Sequence, residues 1–400
     1  MLGWELPPHN SGGLGMACLQ LCKALSKRPD VDIEFIVPYD AEHDIDFMKV
    51  TAATPQGIAS VVRSGIAYDS YKYIREDGSE EWLNIYDQQE LYEESVARMI
   101  DGREFDIVHA HDWLTFRAAM RVKERRGCPI ILHVHSVESD RSGRELGGNP
   151  LVHEIEDMAL HMADRIIAVS EHTKNCIIRD YGIPADKIEV VHNSIEPGDI
   201  VRDNDANTYR YLELMHSLGY RIVVNVGRLT IQKGLPNLLK AAKEVIYREP
   251  KTLFLIVGSG EQYYELIELA ADLGIGANVL FTDFQRGKRW RDAFRVGDLF
   301  VMPSVSEPFG LTPLEAIGYG HTPALVSKQS GVSEVLMNCL KVDYWDVNEM
   351  ANQITAVVQN DALRDNLVDN ARREYIKLSW DGASEKIGKL YNQHLEGASA

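Results

Sequence analysis

The chain has 400 residues, room for two or three domains at ~150 each, and 45% apolar with 26% charged residues is an ordinary globular composition. Its 42 Lys and Arg against 60 Asp and Glu leave a net charge of −18, which argues against nucleic acid or anionic lipid as the main partner. Five scattered cysteines without a CxxC pair exclude a disulfide framework, no apolar run nears the ~18 residues of a membrane span, and Met1–Glu5 is no secretory signal, so a cytoplasmic location is expected.

Short apolar runs alternate with longer amphipathic stretches. In chain order, strands are expected near 33–37, 106–110, 129–134, 165–169 and 187–191, with helices over 14–27, 114–126 and 152–163. A second series follows: strands near 221–226, 252–257, 278–282, 298–302 and 323–326, with helices over 235–248, 261–273 and 313–318. The strand runs are rich in Val, Ile and Leu and nearly continuous, as parallel strands covered on both faces should be. Strand and helix in alternation predict an α/β fold with doubly wound parallel sheets. The pattern breaks at the polar, turn-prone stretch after His192, which predicts a hinge near 194–219 between two Rossmann-like domains, 1–199 and 200–379. From about 345 to 395 the chain reads as consecutive helices. The first strand has only Met1–Glu5 to form from, so it is expected to be very short or trimmed.

Ser11-Gly-Gly-Leu-Gly15 follows that strand and opens a helix, where glycines let a ligand approach backbone N–H groups. The dinucleotide fingerprint GxGxxG is half matched: Gly13 and Gly15 fit, but Cys18 replaces the third glycine, and no acid ends the second strand at Val37. Cys18 and Cys22, one helical turn apart, read most simply as core.

His109-Ala-His-Asp-Trp113 and His133-Val-His-Ser-Val-Glu138 each lie at the carboxyl end of an expected strand, where ligands of open α/β sheets collect. The four histidines invite a metal reading. Against it, each pair is spaced i,i+2, and only one member of each is expected to face the ligand edge. His135, in the polar loop with Ser136 and Glu138, is hard to explain as core.

In Val226-Gly-Arg-Leu-Thr-Ile-Gln-Lys-Gly234, Arg228 emerges from a buried strand and Lys233 leads into the next helix. Two cations at such a strand–loop–helix mouth suit a diphosphate. Ser306-Glu-Pro-Phe-Gly-Leu-Thr-Pro-Leu-Glu315 follows the strand ending at Met302. Pro313 suits the first helical turn, leaving N–H groups near Gly310–Thr312 for phosphate oxygens. Thr312 and Glu315 have capping-box spacing, whereas Glu307 has no such structural explanation.

Together these residues resemble retaining glycosyltransferases of the GT-B fold, family 4, and in particular the glycogen/starch synthase-like branch. The resemblance rests on Gly12–Gly15, His109–Trp113, His135–Glu138, Gly227–Gly234, the E-x7-E pair Glu307 and Glu315, and Ser379-Trp-Asp381, in family order over nearly the whole chain. It implies that Arg228 and Lys233 hold the diphosphate of a nucleotide-sugar donor, Glu315 its ribose and Glu307 the hydroxyls of the transferred sugar. Phe309, Gly310, Leu311 and Thr312 complete the donor set, with Gly13 and Gly15. Gly12, Gly13, Asp112, His135 and Glu138 then line the acceptor side, with His135, Asp112 and Glu307 catalytic. A helix over 380–400 is implied to cross back onto the N-terminal domain.

The reaction implied moves a hexose, glucose foremost, from UDP- or ADP-glucose to a glycan. Other family 4 hexosyl transfers, to small-molecule or lipid-linked acceptors, are the alternative. No metal is expected, because Arg228, Lys233 and a helix N-terminus can neutralise the leaving diphosphate, and the triplets Asp44-Ile-Asp46 and Asp203-Asn-Asp205 do not follow core strands. A dinucleotide oxidoreductase accounts for the first glycine loop but not for Arg228, Lys233 or Glu307. A two-domain sugar-binding protein accounts for a cleft but is usually exported.

Overall fold

The computed structural model describes residues 1–10, 12–63, 71–143, 147–196 and 205–398. Two units emerge: residues 1–138, 149–194 and 380–400 form the first, and residues 139–148 with 195–379 the second. The expected domain boundary at 199/200, part of the hinge at 194–219, and Ser11 and Asp203 lie outside the described residues.

The first unit runs α1 (Gly13–Leu25), β1 (Glu34–Val37), β2 (Lys49–Ala52), β3 (Ile58–Arg63), β4 (Tyr71–Arg75), β5 (Glu80–Trp82), α2 (Ile85–Met99), β6 (Val108–His111), α3 (Trp113–Arg126) and β7 (Ile130–Val134). There follow α4 (Glu138–Arg141), whose last three residues group with the second unit, then α5 (Pro150–Met162), β8 (Arg165–Ala168), α6 (Glu171–Tyr181) and β9 (Ile188–Val190). Strands β6, β7, β8 and β9 pair in parallel in that order, and β1 pairs in parallel with β2.

Leu2 joins the two sets. It bridges Ile36 on one side and Ala110 on the other, both in parallel. Its N–H donates to the His109 carbonyl (2.8 Å) and its carbonyl accepts the His111 N–H (3.0 Å). The first strand is therefore very short but central, as a doubly wound sheet requires. Its neighbour Trp4 is 1% exposed and meets Tyr71 and Tyr92 edge-on, so a few large side chains fix a strand that backbone bonds alone hold weakly.

Strands β3, β4 and β5 form a separate antiparallel meander that the sequence reading did not anticipate. Their burial alternates, unlike the continuous runs of the parallel strands. Helices α2 and α6 were also missed. Each is started by a side-chain cap, Asn84 accepting from the N–H groups of Tyr86 and Asp87, and Ser170 from that of Thr173.

The second unit runs α7 (Arg210–Ser217), β10 (Arg221–Val226), α8 (Leu235–Arg248), β11 (Thr252–Val257), α9 (Tyr263–Asp272), β12 (Val279–Thr282), α10 (Gly287–Arg295), β13 (Leu299–Met302), α11 (Thr312–Glu315), β14 (Ala324–Ser327), α12 (Val332–Val335), β15 (Leu340–Val342), α13 (Val347–Gln359) and α14 (Asp361–Tyr375). Its six strands are all parallel, in the order β12-β11-β10-β13-β14-β15. The order reverses between β10 and β13, and ligands of open α/β sheets bind at such a switch point. Every residue of β11 is buried. Helix α8 covers the sheet with Leu235, Leu238, Leu239, Ala242 and Val245, a stripe at helical spacing. The last helix, α15 (Trp380–Ala398), belongs to the first unit and packs on α1, with Lys27 paired to Asp381 (2.9 Å). Among the described residues no helix is long and apolar enough to cross a membrane.

Candidate active site

In the second unit the groups of interest collect where β10 and β13 end. Exposed Arg228 stands two residues beyond β10. Ile231–Lys233 form one turn of 3-10 helix closed by Gly234 (φ 65°), where a Cβ would lie 2.2 Å from the Pro303 carbonyl oxygen. Only glycine lets the two loops approach so closely, and the approach sets Lys233 against Glu307, with which it forms an ion pair. Glu307 is 8% exposed and also accepts from the Ser304 hydroxyl (3.0 Å).

The main chain of this loop is fixed as well. The Glu307 N–H donates to the Gln329 carbonyl (2.9 Å), the Gly331 N–H to the Glu307 carbonyl (3.0 Å) and the Val332 N–H to the Phe309 carbonyl (2.7 Å). Gly310 has φ 93°, and a Cβ there would meet Met302 at 2.9 Å and Glu307 at 3.0 Å. This glycine turns the chain into α11, with Leu311 at the N-cap and Pro313 in the first turn.

The expected capping box is not formed. Thr312 lies inside the helix rather than before it, and its hydroxyl faces the Met302 sulfur (3.9 Å), so Leu311 occupies the cap without a side-chain bond. Released from capping, the partly exposed Glu315 has a carboxyl that desolvation pushes up to about 8. Residues 316–320 continue as a π turn, a geometry frequent at functional sites.

In the first unit all four histidines gather on one face. His111 of β6 is in register with His133 of β7. The rings of His109 and His111 stack at 4.5 Å between centroids, and those of His133 and His135 at 4.3 Å. The expectation that one of each pair turns away fails, because alternate residues of a strand share a face. His109 Nδ1 meets the Tyr391 hydroxyl (2.6 Å) and its Nε2 meets His133 Nδ1 (3.2 Å), while His111 Nδ1 meets His135 Nε2 (3.1 Å). Burial holds His109, His111 and His133 well below the usual imidazole range and pushes His135, the one partly exposed member, down to about 3. All four rings are therefore neutral near pH 7.

Asp112 links this stack to the next loop. It adopts φ 62°, ψ 167°, a region that is nearly glycine-only. Its carboxylate accepts the N–H groups of His135 (2.7 Å) and Ser136 (3.1 Å), bonds that offset the backbone strain and hold the His135 main chain. Glu138 accepts the Asn149 N–H (2.7 Å) and so ties the two ends of the 139–148 segment. Of the glycine loop, Gly12 caps α1 in extended conformation with open space where a side chain would stand. Gly13 begins the helix, and Gly15 packs on the Glu5 carbonyl, where a Cβ would come to 3.2 Å.

Several contributors escaped the sequence reading. Gln232 donates to the Ser306 carbonyl (3.0 Å) and accepts the Val305 N–H (2.9 Å), joining the two donor-side motifs. Ser304 steadies Glu307. Asp140, fully buried within the second unit, accepts the Ser306 hydroxyl. Gln232 lay inside a recognised motif, whereas Ser304 and Asp140 carried no signal of spacing. Asp44 and Asp46 are exposed, as is Asp205.

Residues 11–199 match the family model for Glycosyltransferase Family 4, and residues 214–374 that for Glycosyl transferases group 1. The chain is 26% identical to an uncharacterized glycosyltransferase of Methanocaldococcus jannaschii over 99% of its own length and 98% of that protein. It is 29% identical to a D-inositol 3-phosphate glycosyltransferase of Rhodococcus opacus, over 72% of this chain and 67% of that one. Among solved structures, the Anabaena protein HepE in complex with UDP and glucose superposes with a TM-score of 0.71 at 17% identity, covering 98% of both chains. With two parallel doubly wound sheets and one glycosyltransferase model on each half of the sequence, the chain belongs to the family 4 glycosyltransferases of the GT-B fold.

Proposed function

We propose that the protein is a retaining hexosyltransferase that moves glucose from UDP- or ADP-glucose to a glycan, in the manner of glycogen and starch synthases. The observation that carries this reading is the convergence of Arg228, the Lys233–Glu307 pair and the start of α11 at the switch point of the second sheet. Lys233 and Arg228 hold the diphosphate, with the N–H groups of Gly310, Leu311 and Thr312 completing the anion site. Phe309 supports that turn from beneath, Glu307 receives the sugar hydroxyls and Glu315 the ribose. These groups neutralise the leaving diphosphate without a catalytic metal. A UDP- and glucose-bound structural neighbour supports the donor class.

On the first unit, Gly12, Gly13, Gly15 and Glu138 border the acceptor. His135 offers a neutral ring and backbone to the oxocarbenium-like sugar. A double displacement needs a free carboxylate nucleophile, and the Asp112 carboxylate is already occupied by two backbone N–H groups. That favours front-face attack, in which the leaving phosphate takes the acceptor's proton, the C1–O bond to phosphate breaks and the acceptor oxygen bonds C1 on the same face. Positioning and preorganised charge supply the acceleration.

A second reading keeps the donor and changes the acceptor to a small phosphorylated polyol, which the D-inositol 3-phosphate glycosyltransferase relative favours. A thermal-shift screen of UDP-, ADP-, GDP- and dTDP-sugars identifies the donor, since bound ligand stabilises by mass action. NMR of the product then decides the mechanism. An inverted anomeric centre, or activity abolished by EDTA and restored by Mn²⁺, overturns it.

A further inference from the structure

The imidazole stack carries more polar capacity than the fold satisfies. His111 and His133 are 0% and 1% exposed, and the Nε2 of each has no hydrogen-bond partner. A neutral imidazole has one donor and one acceptor nitrogen. With Nδ1 of each ring engaged by a neighbouring histidine, Nε2 is left as a bare lone pair or an undirected N–H. Either state is costly in a dry site, by roughly 1–3 kcal/mol. Beside this stack stands a soft ligand: the Cys18 sulfur and one nitrogen each of His111 and His135 all lie within 4.8 Å of one another.

We propose that Cys18, His111 and His135 form a binding site for a thiophilic divalent cation of the zinc class, and that occupancy inhibits the enzyme. Thiolate and imidazole are each donors that zinc takes, and three of them with a fourth position left for water complete a four-coordinate site. The rings are already close to the required spacing. His111 Nδ1 and His135 Nε2 stand 3.1 Å apart, against ~3.3 Å between two nitrogens on a tetrahedral zinc with ordinary bond lengths. The ion replaces the hydrogen bond between them, while the Nε2 atoms of His111 and His133 stay outside its ligand set. Cys18 gives its proton to solvent as the sulfur–metal bond forms, so binding releases one proton and requires no oxidant. Entry is past His135, the only partly exposed ligand. Cys18 sits on the second turn of α1 and His111 at the end of β6, two rigid elements, so the ring of His135 makes the final adjustment.

The inhibitory part rests on the reading of His135 as a residue that attends the reacting sugar: a ring held by metal no longer serves the sugar. The site itself does not depend on that reading.

The test uses the full chain, stripped with chelator and titrated with Co²⁺ and Zn²⁺, alone and during turnover of the nucleotide sugar found by thermal shift. Expected are a thiolate-to-cobalt charge-transfer band and Zn²⁺ inhibition, with the band absent and the inhibitory Zn²⁺ concentration raised by about 100-fold in Cys18→Ala. Metal-free turnover of that variant should be unchanged. Cys18→Ser is the second variant should Cys18→Ala melt early, and its weaker ligand should shift the titration in the same direction. No band, or a band that persists in Cys18→Ala, overturns the site. A Cys18-dependent band with undiminished turnover establishes the site and overturns the inhibition, and with it the role given to His135.

Discussion

The two parallel sheets end in opposite chemistry. Where β6 and β7 finish, four stacked imidazoles and one occupied carboxylate form a dry edge. Where β10 and β13 finish, an exposed guanidinium and a partly exposed ammonium stand with a buried carboxylate beside a helix start. Topology is nearly shared, so the difference is one of side chains and of solvent. Burial keeps the first edge neutral, because desolvation disfavours an imidazolium and the neighbouring imidazoles add repulsion. At the second edge Glu307 and Lys233 pair and Arg228 reaches the surface. A neutral edge suits a sugar rich in hydroxyls, and a cationic one suits a diphosphate.

The sharpest way to break this comparison is to disable each edge separately. His135→Ala should lower turnover by ~10²–10³-fold, the usual loss of a preorganised polar contact in the transition state, while calorimetric affinity for the nucleoside diphosphate stays near wild type. A parallel loss of affinity would mean that the two edges are not functionally distinct. Next in size, Arg228→Ala and Lys233→Ala should each weaken nucleoside diphosphate binding by ~1.5–3 kcal/mol. Lys233→Ala should also reduce stability, since it leaves the Glu307 carboxylate without its counterion. Unchanged affinity in both variants removes the diphosphate site.

The pH dependence sharpens the contrast. The buried histidines take no proton in the fold, whereas the unfolded chain takes one at each near pH ~6.5. Their stabilising effect is thus present above that pH and is lost as pH falls, by up to ~1.4 kcal/mol per pH unit per ring. Thermal melts from pH 7.5 downward should show this loss, and His133→Phe should lessen its slope. Glu315 behaves in the opposite sense. Its carboxyl is raised to about 8 in the fold, so its contribution is full in acid and falls as pH rises from about 4.5 toward 8. Glu315→Gln should flatten that alkaline loss and still weaken donor binding. This is the smallest of the expected effects, and a wild-type slope in the variant would show that Glu315 is not the group responsible.

Much of the architecture was legible because parallel strands covered on both faces must be continuously apolar. The runs at 221–226 and 252–257 coincide with β10 and β11 to the residue. The meander at β3–β5 was not legible in the same way, since half-exposed antiparallel strands carry a weaker pattern. Lys233 and Glu307 were each visible as charged residues beside expected strands, yet nothing in the sequence says that they pair. Their contact depends on Gly234 meeting the Pro303 carbonyl across 69 residues of chain.

The sequence by itself determined the alternation of strand and helix, the two series of parallel strands and the places where they end. Those follow from local periodicity and from turn residues, which act over a few positions. Tertiary structure alone decided the rest. It put four imidazoles on one face, committed Asp112 to the N–H groups of His135 and Ser136, and moved Thr312 from cap to helix interior. It also brought Asp140 to Ser306. Such pairings join residues far apart in sequence, and burial sets their protonation, which no local pattern encodes.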